Sequence, residues 1–278
     1  MLRTNPIGLN RTARVVVATF TRDMWIATSY RVGFLLTTVS SMANIVGVFY
    51  LSQAFGDSLS APIERYGGSY FGFAVVGVAF TSFMAAGLTG IAARIREAQM
   101  MGTLELLLLS PNRLGVLLLS SALWNHALAL IALILYLIVG VALGMDLADA
   151  NLLSTTLSLL LAIVAFNALG LIAASVVIVI KQGNPVGLLI GMASVLLAGV
   201  FYPASVLPAW LQAVGQVLPL THALELMRRS VLRGEGLETL WGPFMALAGL
   251  TAVLLPAGLW ACHRAVRIAQ TDGSLAQY

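Results

Sequence analysis

Between residues 94 and 111 the chain reads Arg94-Ile95-Arg96-Glu97-Ala98-Gln99-Met100-Met101-Gly102-Thr103-Leu104-Glu105-Leu106-Leu107-Leu108-Leu109-Ser110-Pro111. It is too charged at its start for a membrane span and too apolar afterwards for a plain loop. On a helix Glu97, Met101 and Glu105 step by four residues and share one face. A mixed acidic and apolar face fits a cleft on another protein, and equally a solvated, salt-bridged helix surface. Ser110 before Pro111 has the order of an N-cap and first helical position.

Elsewhere chemistry is sparse. A Walker phosphate loop needs a glycine-rich stretch ending in lysine and Ser or Thr. The one lysine, Lys181, lies between Ile180 and Gln182, so the chain has no such loop. His126, His222 and His263 fall in three separate segments without paired metal-ligand spacing, and no metal site is expected. Cys262 is the single cysteine, which excludes an internal disulfide. Asn44, Asn125, His126 and Asn167 stand inside apolar runs. Polar groups there either bond between helices or line a wet path.

The elements that carry these residues follow from composition. Hydrophobic residues make up 59% of the 278 and charged ones 9%, against about 25% charged in a soluble domain. So little polarity cannot clothe a water-soluble surface, and the chain is expected to be an all-α polytopic membrane protein. About 20 apolar residues cross a hydrocarbon core of about 30 Å. Six stretches qualify: 33–51, 70–93, 114–145, 152–180, 183–202 and 239–262. Pro203, Pro208 and Pro219 forbid one long helix after the fifth, so 203–233 is expected to form short external helices. Residues 11–30 place Arg11, Arg14 and Arg22 opposite Val17, Phe20 and Met24, as in an interfacial helix or a solvated basic tail.

Positive residues stay on the cytoplasmic side. With both termini inside, Arg3, Arg11, Arg14, Arg22, Arg31, Arg94, Arg96, Arg113, Lys181, Arg264 and Arg267 lie there, and Arg65, Arg228, Arg229 and Arg233 outside. The last three fit the rule least well and have no assigned role. Gly183, Gly187 and Gly191 recur every four residues, a spacing that lets helix backbones approach, within one subunit or between two.

Arg96-Glu97, Gly102-Thr103-Leu104-Glu105 and Ser110-Pro111 resemble the cytoplasmic coupling segment of the ABC-2 family of transporter permeases. Phe201-Tyr202-Pro203, Leu218-Pro219-Leu220-Thr221 and Met227-Arg228 resemble that family's region after its fifth span. The chain departs from the usual pattern at Ser120-Ser121, where a glycine-lysine pair is common. The resemblance implies a single transmembrane domain with a coupling helix over 94–109, in which Arg94, Arg96, Glu97, Met101, Gly102, Thr103, Leu104 and Glu105 contact a separate ATPase. It implies a homodimer or heterodimer of permeases that exports a drug, lipid, glycan or polysaccharide through a bacterial inner membrane. ATP and magnesium would sit on the ATPase, with no cofactor and no nucleic acid on this chain. Phe201 and Tyr202 are candidates to close the outer end of the pathway, or to form an aromatic belt at the headgroups; Asn44, Asn125 and Asn167 are candidates to line it. A membrane scaffold that only recruits an ATPase, and a lipid-modifying membrane enzyme, are the rival classes; the second lacks convergent acids, bases or ligands.

Overall fold

The computed structural model describes residues 9–29, 31–55, 63–67, 69–103, 114–180 and 183–271. Among these there are nine α-helices and no strand: α1 (Leu9–Ser29), α2 (Arg31–Phe55), α3 (Tyr70–Met100), α4 (Leu114–Ala142), α5 (Leu152–Ile180), α6 (Pro185–Leu197), α7 (Ala209–Gly215), α8 (Pro219–Leu232) and α9 (Leu237–Thr271). Two 3-10 turns, Glu64–Tyr66 and Ala204–Val206, sit at the connections. Four helices, α3, α4, α5 and α9, are long and apolar enough to cross a membrane by length and composition. Large apolar side chains such as Leu153, Leu188, Val253 and Trp260 stand well exposed on the outside, the arrangement a lipid solvent favours.

The bundle is built around α3 and α5, which pack on each other; α4 covers α3, and α9 lies along α5. Phe73, Phe80, Phe83 and Phe166 fill the centre of this core and are wholly buried. Towards the far end of α3 a second cluster joins Ile91, Ile95, Leu118, Leu171, Val177 and Cys262. Where α3 crosses α5, Gly87 faces Gly170: a Cβ on Gly87 would meet Phe166 Cβ at 2.7 Å, and one on Gly170 would run into the Gly87 carbonyl oxygen. Two missing side chains therefore set how close the central pair comes.

Several boundaries differ from the sequence reading. The helix that holds the second expected span does not stop at Ala93: α3 runs on through Arg94, Arg96 and Glu97 to Met100. It then ends in a Schellman turn, with Thr103 N–H bonding to Ala98 O and Gly102 N–H to Gln99 O. Gly102 sits there at φ +66°, the left-handed position glycine fills most cheaply. A single helix over 94–109 is thereby corrected. Glu97 belongs to α3, Met101 caps it, and Leu104 and Glu105 lie outside the described residues together with Ser110 and Pro111.

The fifth helix is shorter than 183–202. α6 opens at an Asn184 cap, whose Oδ1 accepts from Gly187 N at 2.9 Å, and stops at Leu197. At 13 residues it reaches about 20 Å, less than the hydrocarbon core. The stop falls before the prolines because Gly199 turns left-handed at φ +72°, where a Cβ would meet Ala204 N at 2.9 Å. The last helix is longer than 239–262, extending from Leu237 to Thr271 through Pro243 and Pro256. Short helices do occupy 203–233.

Among the described residues, Gly183 and Gly191 of the glycine ladder make no tight helix contact. A Cβ at Gly187 would first strike its own Asn184 cap, one at Gly191 would meet Leu88 at an ordinary 3.6 Å, and Gly183 has open space. Gly187 and Gly191 line an apolar groove of about 490 Å³ between α3 and α6, with Met84, Leu88 and Met192.

Candidate functional site

The predicted site residues fall into three places. At the far end of α3, Arg94 Nη1 donates to Glu97 Oε2 at 2.5 Å, and both side chains are partly exposed. Met100 and Met101 follow as exposed thioethers, 64% and 66% accessible. This tip carries an ion pair beside apolar side chains that no described residue covers. Halfway along, Asn125 of α4 sits against Gly90 of α3, its Nδ2 only 2.7 Å from where a Cβ would stand. Asn167 of α5 approaches the same helix at Gly87, and its Oδ1 is buried without a partner among the described residues. His126 is buried beside the Phe83 ring, with Nδ1 2.8 Å from Ala122 O. Asn44 is not brought to this group; it lies exposed on α2.

The third place is the break after α6. The Phe201 carbonyl accepts from Tyr70 Oη at 3.0 Å, and Tyr202 Oη donates back to Leu196 O at 2.5 Å. Phe201 keeps 39% of its surface accessible. Both aromatic residues thus sit on a backbone tied to the start of α3.

Sequence reasoning left Arg228 without a role, and the structure gives it one. Its side chain is 2% accessible. Nε donates to Phe73 O at 3.2 Å, Nη1 to Gly199 O at 3.0 Å and Nη2 to Val200 O at 2.8 Å. The guanidinium lies over the Phe73 ring with Cζ 3.4 Å from the centroid, a cation–π arrangement. Burial pushes its pKa down to about 9, while Tyr66 and Glu225 pull the other way; it stays protonated at neutral pH. Two of the three carbonyls, those of Gly199 and Val200, follow the end of α6, where a helix concentrates negative partial charge. No side chain is tolerated opposite: a Cβ on Gly77 would sit 2.7 Å from Nη2 and against Val200 O.

A signal for this was present. Leu220, Leu224, Met227 and Val231 form the buried stripe of α8, and Arg228 falls on that stripe while Arg229 lies a third of a turn off it. Arg229 accordingly pairs with Glu235 at 2.5 Å and with Glu225 at 3.6 Å. Glu225 also takes the Tyr66 hydroxyl at 2.5 Å and faces Arg65 at 3.4 Å, and Arg233 Nη1 donates to Arg65 O at 3.1 Å. Burial first, then Glu225, push the Tyr66 phenol up to about 12. Arg65, Tyr66, Glu225 and Arg228 border a cavity of about 370 Å³ between the Glu64–Tyr66 turn, α8 and α9. Among the described residues no group of His, Cys, Asp or Glu could hold a metal ion.

Described residues that are all helical or in connections, long helices with exposed apolar faces, and charge kept towards the ends of α3 and α9 and absent from α4 and α5 together mark an integral membrane protein. The family profile described as ABC-2 type transporter matches residues 14–232. The chain belongs to that family, and is a membrane-embedded permease component of an ABC transporter, not its ATPase. No curated protein matches it at a significant level.

Proposed function

We propose that this chain is the export permease of a bacterial ABC transporter, driven by ATP hydrolysis on a separate ATPase subunit that docks at the tip of α3. The observation that carries the reading is α3 itself. It is one uninterrupted helix of 31 residues, about 46 Å long, which joins the Arg94–Glu97 pair and the exposed Met100 and Met101 to the aromatic break at Phe201 and Tyr202. A helix held along its length by α4 and α5 moves as a unit, so a push at one end reaches the other.

In this reading the chain crosses the inner membrane six times with both termini in the cytoplasm. α2, uncharged beyond Arg31, makes the first crossing and α6 with the break after it makes the fifth. The Tyr66–Glu225–Arg229–Glu235 network lies outside. α1 lies along the cytoplasmic interface, where Phe20 packs edge-on to Trp124 at 5.5 Å. Two permeases, identical or different, enclose the pathway, and the α3–α6 groove with its Gly187 and Gly191 faces it. Phe201 and Tyr202 close its outer end, and Asn125 and Asn167 bias the packing of α3 between open and closed states. The apolar groove suits an amphiphilic cargo: a drug, a lipid or a lipid-linked glycan.

The test is Glu97→Lys, which places a third basic side chain beside Arg94 and Arg96. In nanodiscs holding the permease and its ATPase, substrate-stimulated ATP hydrolysis should be lost while membrane insertion is unchanged. Stimulation at the wild-type level would sink the docking assignment. Copurification of the ATPase without ATP-dependent flux would favour a recruiting scaffold instead.

A further inference from the structure

A buried arginine is expensive, because several kcal/mol of hydration are lost for each ion taken from water. Among the described residues Arg228 forms no ion pair with a carboxylate; Glu225 is engaged with Tyr66, Arg65 and Arg229. Its compensation comes from three main-chain carbonyls and a ring face. The carbonyls belong to two different elements, one to α3 and two to the break after α6. A planar guanidinium can span such a set because its donors are fixed in a fork, and a lysine ammonium cannot. Tyr70 adds a second tie from α3 to the same break, at Phe201 O.

We propose that Arg228 is a positioning residue that couples α3 to the Gly199–Tyr202 break, so that motion imposed at the Arg94–Met101 tip is delivered to the outer closure of the pathway. This rests on the reading of α3 as the ATPase-driven helix and names the part through which it acts. α8 contributes the side chain, α3 the Phe73 carbonyl and ring, and Gly77 the space for the Val200 carbonyl. Without the fork, α3 can tilt while the two carbonyls stay with α6.

The assay uses the full permease–ATPase complex in nanodiscs, in a Cys262→Ala background, with a single spin label at Met100 or at Val206, both exposed in the structure. In the wild type, trapping the ATPase with ATP and vanadate changes the mobility of both labels. In Arg228→Lys the Met100 label still responds and the Val206 label does not. Substrate moved per ATP falls by about tenfold, the scale of one lost charge-assisted contact. Should Arg228→Lys fail to fold, Gly77→Ala keeps the arginine and displaces the Val200 carbonyl, with the same expected split. A Val206 response that persists in the variants, or is missing in the wild type while Met100 responds, overturns the proposal for Arg228. No response at Met100 in the wild type overturns the reading of α3 on which it rests.

Discussion

The same substitution, glycine to alanine, should have opposite signs at two helical positions of this protein. At Gly170 an added Cβ runs into the Gly87 carbonyl oxygen and lies 3.0 Å from the Gly87 carbonyl carbon. Those atoms are main chain in the most buried helix, so no rotamer change relieves the clash; α3 and α5 must move apart by about 1 Å. Overpacking of this kind costs about 1–3 kcal/mol, and a gap of that size forfeits a quarter to a half of each facing dispersion contact. Alanine regains about 1 kcal/mol of helix propensity, which from the middle of that range leaves Gly170→Ala less stable by about 1 kcal/mol. At Gly249 in α9 a Cβ would meet nothing within 4 Å, so Gly249→Ala keeps the propensity gain of about 0.5–1 kcal/mol. With about 2–4 °C per kcal/mol for a chain of this size, detergent-solubilised protein should melt about 2–4 °C lower in the first variant and about 1–4 °C higher in the second. The measurement is the fraction remaining monodisperse after heating, followed by size exclusion. A Gly170→Ala protein that melts at or above the wild type would show that the central crossing is not set by those two glycines.

Other consequences concern the polar network. The Tyr66 hydroxyl has its folded pKa raised from 10.0 to about 12, so its contribution is complete below pH 10 and lost as pH climbs towards 12. The loss is on the order of 2–3 kcal/mol, and Tyr66→Phe should flatten that part of a stability–pH curve; an unchanged alkaline limb would count against the Tyr66–Glu225 contact. For Glu235, burial raises the carboxyl pKa, but the hydrogen bond and charge of Arg229 outweigh it and leave the value below its ordinary 4.5. Stability from this pair is therefore present above pH 4.5 and lost as pH falls through the lower folded value. Glu235→Gln should remove the dependence, read as the acid midpoint of thermal stability, with a small effect because solvent screens the pair.

Much of the helical layout could be read from residue order. The run from Leu152 to Ile180 was bounded to the residue, since Asn151 and Lys181 frame an unbroken apolar stretch and nothing within it stops a helix. The segment with Pro203, Pro208 and Pro219 had to be broken, because each proline removes a donor. The end of α3 lies beyond Arg94 and Arg96 because charged side chains do not by themselves stop a helix, whereas the left-handed Gly102 does. The end of α6 is likewise set by Gly199 rather than Tyr202.

The polar residues divide in the same way. Composition alone dictated a lipid-solvated helical chain, since the ratio of apolar to charged side chains is a property of the list and not of the arrangement. The absence of a phosphate loop was equally local. What Arg228 touches was not, because Phe73 and Val200 are brought to it from 155 and 28 residues away. A buried charge is tolerated only where several distant carbonyls converge, and that convergence exists only once α3, α6 and α8 have packed.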